Sequence, residues 1–178
     1  QQALHLDPLA FAQCLGRNYE ALGGQLFADC QVTGLSRQSA QFVAHTPSGD
    51  VCADFVYVCT NAWTASIIPE LESYLMPVAN FMLATKPLGQ SVDVLGDHAC
   101  YATTNFVLDY FRKSHDGRMI FGGLVAYDTN RRGPDQERLM ARMTQSFPQL
   151  SEVGVDHVWA GLLAISRLRL PLSGSFAE

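Results

Sequence analysis

The chain has 178 residues, 48% apolar and 16% charged, with a net charge of −5. That composition excludes intrinsic disorder, and the acidic balance excludes nucleic acid or an anionic membrane as the main partner. No uncharged apolar run reaches membrane-spanning length and no basic-then-apolar leader opens the chain, so a cytoplasmic protein without a membrane span is expected.

Five cysteines without a C-x-x-C spacing read as buried free thiols in a reducing compartment, and the single, scattered histidines give no metal site. None of the fourteen glycines forms a G-x-G-x-x-G or a P-loop. No Ser-His-Asp or Cys-His arrangement is visible in the spacing, so nucleophilic catalysis has no specific support.

Asp7-Pro8 predicts a helix start, with Phe11, Leu15, Tyr19 and Leu22 on one face and Gly23-Gly24 as the stop. Gln25–Val32 reads as a strand, followed by a polar break at Ser36–Ser39. Gln41–Thr46 and Val51–Thr60 pair as a hairpin around Pro47–Asp50. The near-continuous apolar run from Val51 reads as a strand buried on both faces, as in a parallel sheet, and its carboxyl end at Cys59–Trp63 is where a nucleotide is expected. Thr64–Leu75 predicts a helix ended by Pro77.

Beyond Pro77, Val78–Leu88, His98–Thr104, Phe106–Ser114 and Arg118–Val125 are strand-like, with Asp116-Gly117 as a hairpin turn. Pro134–Phe147 predicts a helix and His157–Ile165 a last strand. If Phe106–Arg112 is extended, Phe106, Leu108, Tyr110 and Arg112 share one face, and Val107, Asp109 and Phe111 the other. An arginine in line with apolar and aromatic neighbours either pairs with a carboxylate ligand or reaches to water at a strand end. Gly122-Gly123 marks either a close approach or an ordinary bulge. Trp63 and Trp159 suit either a planar ligand or the core, and Arg131-Arg132 and Arg167/Arg169 read as solvated basic clusters.

These segments, in order, resemble the D-amino-acid-oxidase-like family of FAD-dependent amine oxidoreductases, its glycine oxidase and gamma-glutamylputrescine oxidase branch in particular. The resemblance is carried by Leu4–Pro8, Cys30–Val32, Val58–Trp63, Pro77 with Ala84–Leu88, Asp109–Arg112, Asp116–Gly123, and Trp159–Gly161 with Pro171 and Gly174. It implies an α/β fold with an antiparallel substrate-domain sheet: a partial FAD-binding domain at 1–76, a substrate domain at 77–160, and a return toward the first domain at 161–178. It also implies an internal fragment without the N-terminal dinucleotide-binding motif. FAD is the cofactor expected of the full-length parent, and the fragment is not expected to retain it.

The resemblance places Val32, Thr60, Asn61, Ala62 and Trp63 at the cofactor, and Tyr110 and Arg112 at the substrate. It further implies oxidation of the C–N bond of a small amine or amino acid by hydride transfer to flavin. A non-catalytic binding or interaction module is the competing expectation. Exposed apolar surface suggests self-association.

Overall fold

In the computed structural model, which describes residues 5–89, 92, 94–96, 99–128 and 135–175, Asp7 accepts hydrogen bonds from the backbone N–H of Leu9 and Ala10. This N-cap opens α1 (Pro8–Ala21) as the sequence predicts. The helix stops where Gly23 takes a left-handed φ of 89°. Three antiparallel strands follow: β1 (Gly34–Gln38), β2 (Gln41–Thr46) and β3 (Gly49–Ala53). Val43 sits at the centre of this sheet and is its buried apolar side chain. The hairpin closes through Thr46, whose hydroxyl donates to the Gly49 carbonyl at 2.6 Å.

Two expectations fail here. Gln25–Val32 is not a strand, and the first strand is the polar Gly34–Gln38 instead. Val51–Thr60 is a strand only as far as Ala53. Residues 54–60 lack regular structure, and Phe55 and Tyr57 are 82% and 91% exposed. An extended segment holds its backbone groups only against a neighbouring strand, and all pairings among the described residues are antiparallel and leave this stretch without one.

Thr64–Leu75 is not one α-helix but two short 3-10 helices, Asn61–Ser66 and Pro69–Tyr74. Pro69 disfavours helix at Ile68, which breaks the run there.

The second sheet has five antiparallel strands in the order β5-β6-β7-β4-β8: β4 (Leu75–Thr85), β5 (Cys100–Ala102), β6 (Tyr110–Lys113), β7 (Met119–Ala126) and β8 (Val155–Ser166). Pro77 lies inside β4 and opposite Ala164, at a level where β4 has not yet begun to pair with β7. A proline is tolerated on such an unpaired side. β6 is shorter than predicted, since residues 105–109 form a bend and coil, and Phe106 is exposed.

α2 (Gln136–Ser146), capped by Asp135, covers one face of this sheet. Leu139 and Met143 pack there against Phe81, Leu83, Met119 and Phe121, all essentially inaccessible. Phe111 joins them, edge-on to Phe147 at 4.8 Å and stacked on Phe121 at 6.1 Å. Asp109, on the same side, is gripped by Arg142 of α2 through Nε to Oδ1 and a guanidinium amine to Oδ2, each at 2.8 Å.

The chain divides into two compact units, Gln1–Cys59 with Ser66–Pro69, and Thr60–Ala65 with Glu70–Glu178. None of the cysteines among the described residues is buried: Cys14, Cys52, Cys59 and Cys100 are exposed and Cys30 is half-buried, all as free thiols. The expectation of buried thiols is therefore wrong. Among the described residues no helix is long and apolar enough to cross a membrane, and no cluster of His, Cys, Asp or Glu suits a metal. Arg131-Arg132 and His98 lie outside the described residues.

Candidate active site

The face of the five-stranded sheet away from α2 is open. Alternation along the strands gives it Tyr110 and Arg112 from β6, Gly122 and Val125 from β7, Val78, Asn80 and Met82 from β4, and Trp159 and Leu163 from β8. Tyr110 pairs with Gly122, and Gly122 with Met82 on the next strand. A Cβ at Gly122 would collide with the Tyr110 ring, so the absent side chain is what lets that ring lie across β7. The Tyr110 hydroxyl thereby reaches β4 and donates to Asn80 Oδ1. Gly123 does the same on the other face, where a Cβ would stand 2.5 Å from Asp109 Oδ1. The glycine pair is thus a double close approach, one for each face.

Asn80 in turn donates to the Leu124 carbonyl at 3.4 Å. Leu124 is the extra residue of a β-bulge, set between Gly123 opposite Phe81 and Val125 opposite Asn80, and its φ is +63°. A leucine in the left-handed region is costly and occurs where the surroundings demand it. Burial pushes the Tyr110 phenol above its ordinary pKa, and the Asn80 hydrogen bond opposes this more weakly. At neutral pH the phenol is therefore protonated and acts as a hydrogen-bond donor.

A cleft of about 590 Å³ opens at this hydroxyl, lined by Val78, Asn80, Phe106–Leu108, Tyr110, Val125, Tyr127, Leu163–Ser166 and Arg169–Pro171. Tyr110 lies in its wall. Arg112 is half-buried on the same face, two residues along β6 and opposite Cys100 and Ile120, outside the cleft lining.

Thr60 precedes the first 3-10 helix, and Asn61, Ala62 and Trp63 form its first turn. Asn61 takes φ +49°, and its side chain acts as a strand edge for β8: Oδ1 accepts from Ala164 N–H at 2.8 Å and Nδ2 donates to the Leu162 carbonyl at 3.0 Å. The Thr60 hydroxyl lies 3.2 Å from that of Thr64, and Trp63 N–H donates to the Thr60 carbonyl at 3.0 Å. Ala62 is half-buried, and the Trp63 indole is 57% exposed. Val32 is half-buried in the other compact unit, just before β1.

Sequence reasoning missed Asn80, whose signal was a lone amide inside the apolar run Pro77–Ala84. It also missed Arg142 as the partner of Asp109 and Arg169 as part of the cleft.

The FAD dependent oxidoreductase family matches the chain over residues 1–177. Gamma-glutamylputrescine oxidoreductase of Escherichia coli is 30% identical over 175 residues, covering 96% of this chain and 40% of the relative. The probable oxidoreductase OrdL of Rhizobium meliloti is 28% identical over 167 residues, covering 94% of this chain and 39% of the relative. Among solved structures, glycine oxidase from Geobacillus kaustophilus superposes with a TM-score of 0.78 at 20% identity, over 94% of this chain and 45% of that one. L-proline dehydrogenase from P. horikoshii gives 0.79 at 18%, over 96% and 47%. The two structural likenesses establish the fold alone, an α/β arrangement with antiparallel sheets. The chain spans about 40% of the length of these curated relatives, and it belongs to the FAD dependent oxidoreductase family.

Proposed function

We propose that this chain contributes the substrate face and part of the cofactor site of a flavoenzyme that oxidises the C–N bond of a small amine or amino acid. The observation that carries the reading is the open sheet face, where a protonated phenol is held across a glycine in the wall of a largely apolar cleft. Family membership and relatives named for glycine and gamma-glutamylputrescine support it. In this reading residues 1–76 belong to the FAD-binding domain, 77–160 to the substrate domain, and 161–178 return toward the first.

The residues near Thr60 fit a planar cofactor in a restricted way. The Asn61 amide and the Thr60 hydroxyl are engaged within the fold, so contact from Thr60, Asn61 and Ala62 falls to the main chain. Trp63 offers an exposed flat ring, and Val32 an apolar contact for the adenosine half. Bound FAD supplies the acceptor for the hydride lost from the substrate carbon, and the imine product then adds water.

The chain's own part is orientation. Tyr110, its one O–H donated to Asn80, presents a hydroxyl lone pair that accepts from the substrate ammonium, and Arg112 holds the carboxylate beside the reacting amine of an amino-acid substrate. In the FAD-loaded full-length parent, Arg112→Ala is expected to slow amino-acid-dependent bleaching of the flavin by about tenfold or more, with the resting flavin spectrum unchanged. Wild-type kinetics in that variant would remove Arg112 from the site.

A further inference from the structure

We propose that the cleft beside Tyr110 takes the far, anionic end of an elongated amine substrate, and that Arg169 is the group that holds it. The inference rests on the preceding reading only in taking the open sheet face as the substrate side. Arg169 is the one charged side chain among the described residues that line the cleft. Its guanidinium carbon lies 5.6 Å from the centre of the Phe106 ring, a cation–π contact that keeps the charge at the cleft without neutralising it. Among the described residues no carboxylate stands within ion-pair distance of it.

The backbone at this point is also specialised. Arg169 takes φ +56°, its N–H donates to the Ser166 carbonyl at 2.9 Å, and the Ser166 hydroxyl donates to the Leu170 carbonyl at 2.6 Å. The turn holds a non-glycine residue in a costly conformation, and the side chain it carries lines the cleft.

The direction of the cleft separates this site from Arg112. From Tyr110 it runs toward Val78 and Leu163, whereas Arg112 lies two residues the other way, level with Ile120 and Ala84. Tyr110 therefore stands between two guanidinium groups on one sheet face. The walls on the Arg169 side are aliphatic and aromatic, which suits a methylene chain. No acidic side chain lines them, so a second ammonium would meet only like charge. The substrate class that fits has its amine near Tyr110, several methylenes against Val78 and Leu163, and a carboxylate or similar planar anion at Arg169.

Calorimetric titration of the chain with hexanoate and with hexanamide, equal in length and differing in charge, tests this without flavin. Hexanoate is expected to bind about tenfold or more tightly than the amide. Arg169→Gln should abolish that preference and Arg169→Lys should keep part of it. Arg167→Gln, an exposed neighbour outside the cleft, should leave it intact. Equal binding of acid and amide, no binding of hexanoate, or loss of the preference in Arg112→Gln rather than Arg169→Gln would each overturn the proposal. Because the titration involves no redox step, its failure is read separately from a failure of amine-dependent flavin bleaching.

Discussion

The two faces of the five-stranded sheet are built from the same strands by simple alternation, yet they do opposite work. On the α2 side Phe111, Phe121, Leu83 and Met119 meet Leu139 and Met143 and exclude water. One residue along, on the open side, stand Tyr110, Gly122, Met82 and Asn80, where a hydroxyl crosses a missing side chain to reach an amide. Apolar packing dominates the face that holds the fold, and a hydrogen-bonded hydroxyl and amide beside a cleft distinguish the open face. Asp109 and Tyr110 make the contrast within one peptide: the first is clamped to α2 by Arg142, and the second reaches the cleft.

This contrast is open to attack from its sealed side first. Phe121→Ala removes a side chain with no exposed surface, and a cost of about 3–5 kcal/mol is expected in urea unfolding. A cost below about 1 kcal/mol would mean that the α2 face is not the core.

A smaller effect is expected at the sheet's end, where Arg118 ties Asp116 in the β6–β7 turn to Asp156 on β8 and donates to the Thr85 carbonyl at 3.1 Å. The Asp116 carboxyl is held below its ordinary pKa by the Ser114 hydroxyl and then by Arg118, and that of Asp156 by Arg118 first. Groups lowered in the folded state add stability that is complete above the unfolded value near about pH 4 and is lost as pH falls through the folded values. Arg118→Ala should therefore lower the urea midpoint modestly at neutral pH, because solvent screens the cluster, and the gap to wild type should close as pH falls below about 4, which flattens the acid slope. An unchanged acid slope would show that the cluster does not couple to folding.

Much of this was legible in local chemistry. Asp7-Pro8 starts α1, Asp116-Gly117 turns the β6–β7 hairpin, and the alternation through Tyr110 and Phe111 assigns each to its face. Those signals act within a few residues. The run from Val51 misled because apolar content makes a strand possible, while only a paired neighbour makes one, and residues 54–60 have none among the described residues. The likeness of Asn80 to an ordinary strand residue hid its role, because its partner Tyr110 is 30 residues away. Arg142 and Asp109, 33 apart, were hidden for the same reason. The apolar stripe of α1 was read correctly as a stripe, yet no residue of that helix is buried.

The central claim is that the open face works because Tyr110 lies across Gly122. It is tested most directly by amine-dependent bleaching of the flavin in the FAD-loaded full-length parent carrying Gly122→Ala, measured beside its urea midpoint. The added methyl is expected to lift the Tyr110 ring from Asn80 and slow bleaching by about tenfold or more, while overpacking costs about 1–3 kcal/mol of stability and leaves the protein folded. A folded Gly122→Ala protein that bleaches its flavin at the wild-type rate would contradict the account.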